Sequence, residues 1–190
     1  INSYGSGMAP LMTNLALWVG AFAFVVIFKV EVDDEGLEGL DLTASEKYFA
    51  RYMLLGIMGA AQGTITTIGD LLLGVQTVNA PLFILTGAIT SLVYLSITFA
   101  LSTTFMHIGK GLCVALIIVQ IPGASGLYPI EMMPGFFKKL NPFLPFTYSI
   151  RGMRECIAGF YENTYVKNMA VMFVFLALAL FIGLVLRPLL

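Results

Sequence analysis

Few side chains in this chain are equipped for chemistry, and three of them stand inside long apolar windows. Asp70 is the one acid within those windows, and an ionisable group so placed reads first as a functional site. Gln62 and Gln120 are its amide counterparts. At a rise of ~1.5 Å per residue, Gln62 lies roughly 16 Å in from Arg51, Gln120 roughly 15 Å in from Lys110, and Asp70 roughly 28 Å from Arg51. Both glutamines therefore fall near a bilayer midplane, while Asp70 falls near the far surface. The glutamines read either as interhelical hydrogen-bonding groups or as part of a substrate path. Asp70 reads as hydrated, as a helix-end contact, as the partner of Arg151 or Arg154, or as a transport residue.

The densest charge lies elsewhere. Glu31, Asp33, Asp34, Glu35, Glu38, Asp41 and Glu46 are seven of the eleven acids. They form either a docking element for a cytoplasmic partner or a solvated linker, and their spacing is not that of a calcium-binding EF-hand. Thr43-Ala-Ser-Glu46 fits a capping box that starts a helix. Lys47, Tyr48, Arg51 and Tyr52 then suit a headgroup layer.

Catalytic chemistry is thin. The single histidine, His107, is all that a catalytic triad would have. Gly5-Ser-Gly7 begins like a phosphate loop, but Pro10 follows and no Lys-Ser/Thr pair does. Cys113 and Cys156 form no metal or redox motif. The expectation is a non-enzyme with no metal and no cofactor. Net charge is −1, so no basic field points to nucleic acid.

The elements that must position these residues are membrane helices. Hydrophobic residues make up 58% and charged residues 11%, mean hydropathy is +0.91, and a soluble domain carries about a quarter charged residues. Continuous apolar windows rather than alternation give an all-α integral membrane fold in one domain, with five spans near 10–29, 50–73, 81–105, 110–127 and 168–187. Gly59-Ala-Ala-Gln-Gly63 in the second span invites close approach by another helix. Five crossings put loop 30–49, the 106–110 link and the C-terminus on one side (A). The N-terminus, the 75–80 link and segment 128–167 lie on the other (B). Lys29, Lys47, Arg51, Lys110 and Arg187 on side A balance Lys138, Lys139, Arg151, Arg154 and Lys167 on side B, so charge does not orient the chain. The chain opens at Ile1 rather than Met, which reads as a piece of something longer.

Segment 121–160 breaks the pattern. Residues 121–148 are apolar yet hold five of the eight prolines. Pro122 removes a helix donor, Gly123 and Gly126 permit tight turning, and Pro129, Pro134 and Pro142 keep the rest of the stretch from forming one long helix. Glu131, Lys138 and Lys139 mark water or headgroups. Met132 to Leu140 and Phe143 to Gly159 read as short helices in or dipping into the interface: a re-entrant element or an amphipathic surface hairpin.

Tyr4-Gly-Ser-Gly-Met-Ala-Pro10, Gly69-Asp70 and the stretch SGLYPIEMMPGFFKKLNPFLPFTYSIRGMRE resemble the C-terminal membrane region of the YhgE/Pip (phage infection protein) family. The last stretch also resembles the wider ABC-2-type membrane domain, in which a Gly-Pro break precedes an Asn-Pro…Tyr…Arg segment, here Asn141, Pro142, Tyr148 and Arg151. The resemblance covers nearly the whole chain. It departs at the start, where the family has one more helix and a large extracellular domain. It implies that the five spans are the second to sixth of six and that side A is cytoplasmic. It also implies that the acidic loop docks a nucleotide-binding subunit and that 121–160 is an extracellular re-entrant element. Family partners include a second copy in a dimer. Roles in phage infection of Gram-positive bacteria, or as an accessory of type VII secretion, are what the resemblance adds to export.

Overall fold

The computed structural model describes residues 4–28, Gly39 and residues 41–186. Among them every regular element is helical. The helices are α1 (Tyr4–Ile27), α2 (Ala44–Leu72), α3 (Ala80–Phe105), α4 (His107–Gly123), α5 (Gly135–Leu140), α6 (Pro145–Ala158) and α7 (Thr164–Phe181). Two 3₁₀ turns, Ile130–Met132 and Asn141–Phe143, flank α5, and a π turn, Ile182–Leu186, extends α7.

Three helices, Tyr4–Ile27, Ala80–Phe105 and Thr164–Leu186, are long and apolar enough to cross a bilayer. α4 is apolar but has only 17 residues. α2 is the longest at 29 residues, yet Gln62, Thr64, Thr66, Thr67 and Asp70 dilute its apolar character. The expected windows shift accordingly. α1 begins six residues before Pro10 and carries that proline inside, and the π turn closes α7 at Leu186. α4 runs through Pro122 and stops at Gly123, where span 110–127 was expected. Pro122 is tolerated because it falls in the last turn, and the Ala124 amide still reaches the Gln120 carbonyl at 3.0 Å.

Local chemistry sets the boundaries. The Thr43 hydroxyl accepts from the Glu46 amide at 3.3 Å, and the Glu46 carboxylate accepts from the Thr43 amide at 2.8 Å. This is the capping box expected from sequence. Asn79 caps α3 through the Leu82 amide at 3.1 Å, with Pro81 in its first turn. The α3–α4 corner is abrupt. Met106 holds φ 54, a left-handed conformation that costs a non-glycine residue strain, and a Cβ on Gly109 would lie 1.9 Å from the Leu101 carbonyl oxygen.

α3 is the central helix, touching α1, α2, α4, α6 and α7. Its crossing with α2 runs over small residues. Gly56, Gly59 and Gly63 are buried, and a Cβ on Gly63 would lie 2.3 Å from the Gly87 carbonyl oxygen. The glycine pair read from sequence does bring a second helix to backbone contact. At the centre, Trp18, Tyr94 and Phe146 form an aromatic triangle, with ring centroids 5.2, 5.9 and 5.2 Å apart. Tyr48 and Tyr52, expected at headgroups, turn inward. Tyr48 lies tilted against Phe99, ring centroids 4.9 Å apart, and fits the notch left by Gly183.

Segment 121–160 differs most from its surface reading. α6 is not laid on the outside: Phe146, Thr147, Ser149, Ile150, Gly152, Met153, Cys156 and Ile157 are all buried. It packs against α1, α3 and α7.

Candidate functional site

The site is the corner where α4 breaks off and α6 begins. Leu144, the residue before α6, has no side-chain oxygen to cap the helix, so the cap comes from another element. Gln120, fully buried in the last turn of α4, accepts the Phe146 amide through Oε1 at 3.2 Å. Its Nε2 is a buried donor with no partner. One turn on, the Gly123 carbonyl, left open by the end of α4, accepts from Asn141 Nδ2 at 2.7 Å. Asn141 is buried and tied on its other atoms too. Thr147 Oγ1 donates to its carbonyl at 2.7 Å, and Arg151 Nη2 approaches its Oδ1 at 3.4 Å. Tyr148 donates to the Pro142 carbonyl at 2.5 Å. Gly123 itself gives space to Leu144, whose Cδ1 would lie 2.6 Å from an added Cβ.

The two ends of α6 sit at different levels of the bundle. Phe146 meets Trp18 and Tyr94, each fourteen positions into its helix from Tyr4 and Ala80, or roughly 21 Å from those ends. At the other end of α6 the Cys156 carbonyl accepts from the Val78 and Asn79 amides at 2.8 and 3.3 Å, alongside the α2–α3 link. The tip also faces apolar space: Phe143 and Pro145 border a cavity of about 250 Å³ with Trp18, Leu101, Leu116 and Phe175.

The structure gathers Pro122, Gly123, Gln120, Asn141, Pro142 and Arg151 into this corner. Gly126 lies just beyond it, packed on Leu11, while Pro129 and Pro134 are exposed and precede the Ile130–Met132 turn and α5. Gln62 and Asp70 are not part of it. Gln62 bridges three helices, donating to the Ala16 carbonyl and accepting from Ser91 Oγ, both at 3.4 Å. It also fills the notch left by Gly20. Asp70 accepts from Thr13 Oγ1 at 2.5 Å. Its expected pairing with Arg151 or Arg154 is not what forms: Arg154 Nη2 donates instead to the Ser125 and Gly126 carbonyls at 3.0 and 3.1 Å. Burial pushes the Arg154 guanidinium down from its ordinary value, and the nearby Arg151 charge adds to that.

Of the acidic loop, Glu31, Asp33, Asp34, Glu35 and Glu38 lie outside the described residues, and Asp41 is exposed. His107 is exposed at the α3–α4 corner.

A second polar group escaped the sequence reading. Asn14, fully buried, donates to the Pro10 carbonyl at 2.6 Å and accepts from the Tyr94 hydroxyl. Thr90 and Ser149 pair at 2.9 Å nearby on α3 and α6. The available signal was an asparagine four residues after an in-helix proline, at the spacing that lets its amide take the proline's carbonyl.

Against known proteins, residues 2–185 match the family model described as ABC-2 family transporter protein. The chain is 28% identical over 160 residues to the protein named "Uncharacterized protein YhgE" of Bacillus subtilis (strain 168). That alignment covers 84% of this chain and 20% of that protein, so the chain spans about a fifth of that relative's length. No solved structure matches.

Proposed function

This chain belongs to the ABC-2 family of transporter proteins, a membrane family, and from that premise we propose that it is the membrane subunit of a YhgE-like exporter of the bacterial cell envelope. In this reading α1, α2, α3 and α7 are crossings, α4 with the irregular chain after Gly123 makes the fifth, and α5–α6 is a hairpin that enters from the extracellular side and turns back inside the bilayer. The observation that carries it is the Gln120–Phe146 and Gly123–Asn141 pair of hydrogen bonds. These bonds, with Phe146 against Trp18, support a hairpin turn beside the last turn of α4 and deep in the bundle. Irregular backbone at such depth is tolerated only when protein satisfies it, and these bonds do so.

The chain then carries no catalytic centre of its own. Energy comes from a cytoplasmic nucleotide-binding subunit docked on the acidic loop, and two copies of the membrane subunit form the working unit. A single copy is filled at its centre by Trp18, Tyr94 and Phe146, all buried, so a substrate path runs between copies or along the hairpin. The same filled centre also favours a second reading. A scaffold or receptor anchor, acting in type VII secretion or phage infection, requires no path at all.

Affinity purification of the full-length protein separates the two. An exporter brings down an ATPase whose ATP hydrolysis depends on the complex, and replacing Glu31, Asp33, Asp34 and Glu35 by Ser abolishes that pull-down while membrane insertion persists. Capture of secretion components or phage protein without an ATPase supports the scaffold. Pull-down unchanged by the four serines removes the docking role.

A further inference from the structure

The transport reading leaves unused a polar cleft of about 480 Å³ beside the upper end of α6, bordered by Ser125, Leu127, Tyr128, Glu131 and Arg154. Its lining carries both signs of charge. Arg154 spends Nη2 on the Ser125 and Gly126 carbonyls, which fixes the guanidinium and leaves its Nε and Nη1 hydrogens without acceptors among the described residues. Arg151, one turn back, adds positive potential. Glu131 lines the same cleft, exposed, and among the described residues no ion pair closes it onto Arg154.

The backbone that supplies the Ser125 and Gly126 carbonyls is closely constrained. Ser125 holds φ 53, a strained conformation kept only where the surroundings demand it. A Cβ on Gly126 would lie 2.6 Å from Leu11. Exposed Leu127 and Tyr128 form the rim, and tyrosine is a residue type that anchors in a membrane interface. The cleft lies toward the end of the bundle where Cys156 meets the α2–α3 link.

A cation and an anion that line one cleft without pairing with each other select a ligand with both charges. A purely anionic ligand meets Glu131, and a purely cationic one meets Arg154 and Arg151. We propose that this cleft binds the headgroup of a zwitterionic aminophospholipid, with its phosphate on Arg154, its ammonium on Glu131 and its acyl chains passing Leu127 into the bilayer. Charge-assisted hydrogen bonds of this kind are the strong ones. The inference rests on this end of the bundle meeting the bilayer surface and is independent of whether the protein exports anything.

Native mass spectrometry of the full-length protein, titrated with phosphatidylethanolamine and with phosphatidylglycerol of the same acyl chains, tests it. The expected result is a preference of about tenfold for phosphatidylethanolamine, the scale of one charge-assisted hydrogen bond. Arg154→Gln weakens both lipids. Glu131→Gln brings the preference to about one, because only the ammonium contact is lost. Glu131 is exposed and supports nothing else, so its variant decides the matter even if Arg154→Gln fails to fold. Equal binding of the two lipids by the parent protein overturns the proposal, as does a preference untouched by Glu131→Gln. Water-soluble glycerophosphoethanolamine binding as tightly as the lipid also overturns it, since the site would then serve a solute. If the surface placement is wrong, that shows separately, as a cysteine at Tyr128 shielded from an aqueous thiol reagent.

Discussion

Where α2 crosses α3, backbone meets backbone; where α4 meets α6, side-chain amides meet backbone. The first contact is made by removing side chains. Gly63 and Gly87 let the two helices touch, and the attraction is dispersion over a long, close surface. The second is made by adding polar groups. Gln120 and Asn141 supply the partners that a helix end and a helix start would otherwise lack. A crossing of continuous helices needs only fit, because each helix already satisfies its own backbone. A break inside a bilayer needs donors and acceptors brought from elsewhere. The α4–α6 corner is therefore the more specific device and the α2–α3 crossing the less forgiving one.

Substitutions sharpen that contrast. Gly63→Ile puts a branched side chain against the Gly87 carbonyl, which cannot yield as a side-chain tip would. It is expected to cost about 3 kcal/mol or more, seen as loss of folded protein in detergent. Gln120→Leu leaves the Phe146 amide unpaired at a cost of about 1–3 kcal/mol. The lower half of that range is expected, because the glutamine already buries an unpartnered Nε2 that leucine would remove; a thermal-unfolding midpoint reads the difference. Gly123→Ala meets only the far end of Leu144, a flexible tip, and its effect on the same midpoint is smaller. Thr13→Val, which removes the hydroxyl contact to Asp70, is comparably mild, at about 0.6 kcal/mol for an average hydrogen bond between membrane helices. If Gln120→Leu proves costlier than Gly63→Ile, the ranking of the two contacts is reversed.

The two regions also differ in how far sequence reaches them. Gly59 and Gly63 announce a close crossing because four-residue spacing puts both on one helix face. Thr43 and Glu46 announce a helix start because the capping box is local. The Pro-Gly break was legible to within a few residues of Ala124, since proline disrupts a last turn less than an interior one. What the break was for was not legible. The apolar face of α6 looks the same whether it will meet an interface or α1, α3 and α7, so sequence left a re-entrant element and a surface hairpin both open. Asp70 and Thr13 are 57 residues apart, and nothing local selects Thr13 over Arg151 or Arg154. Asn14 was passed over because a lone amide in a long apolar run has no spacing partner except Pro10.

The central claim is that α5–α6 enters and leaves by the same face. Single cysteines at Tyr128, Phe143 and Tyr161, in a background lacking Cys113 and Cys156, test it directly through labelling of intact cells by an impermeant thiol reagent. The account predicts that Tyr128 and Tyr161 positions label from outside while Phe143, at the hairpin's turn, stays unlabelled until the membrane is dissolved. Labelling of Tyr128 and Tyr161 from opposite sides, or of Phe143 as fast as either, would contradict it.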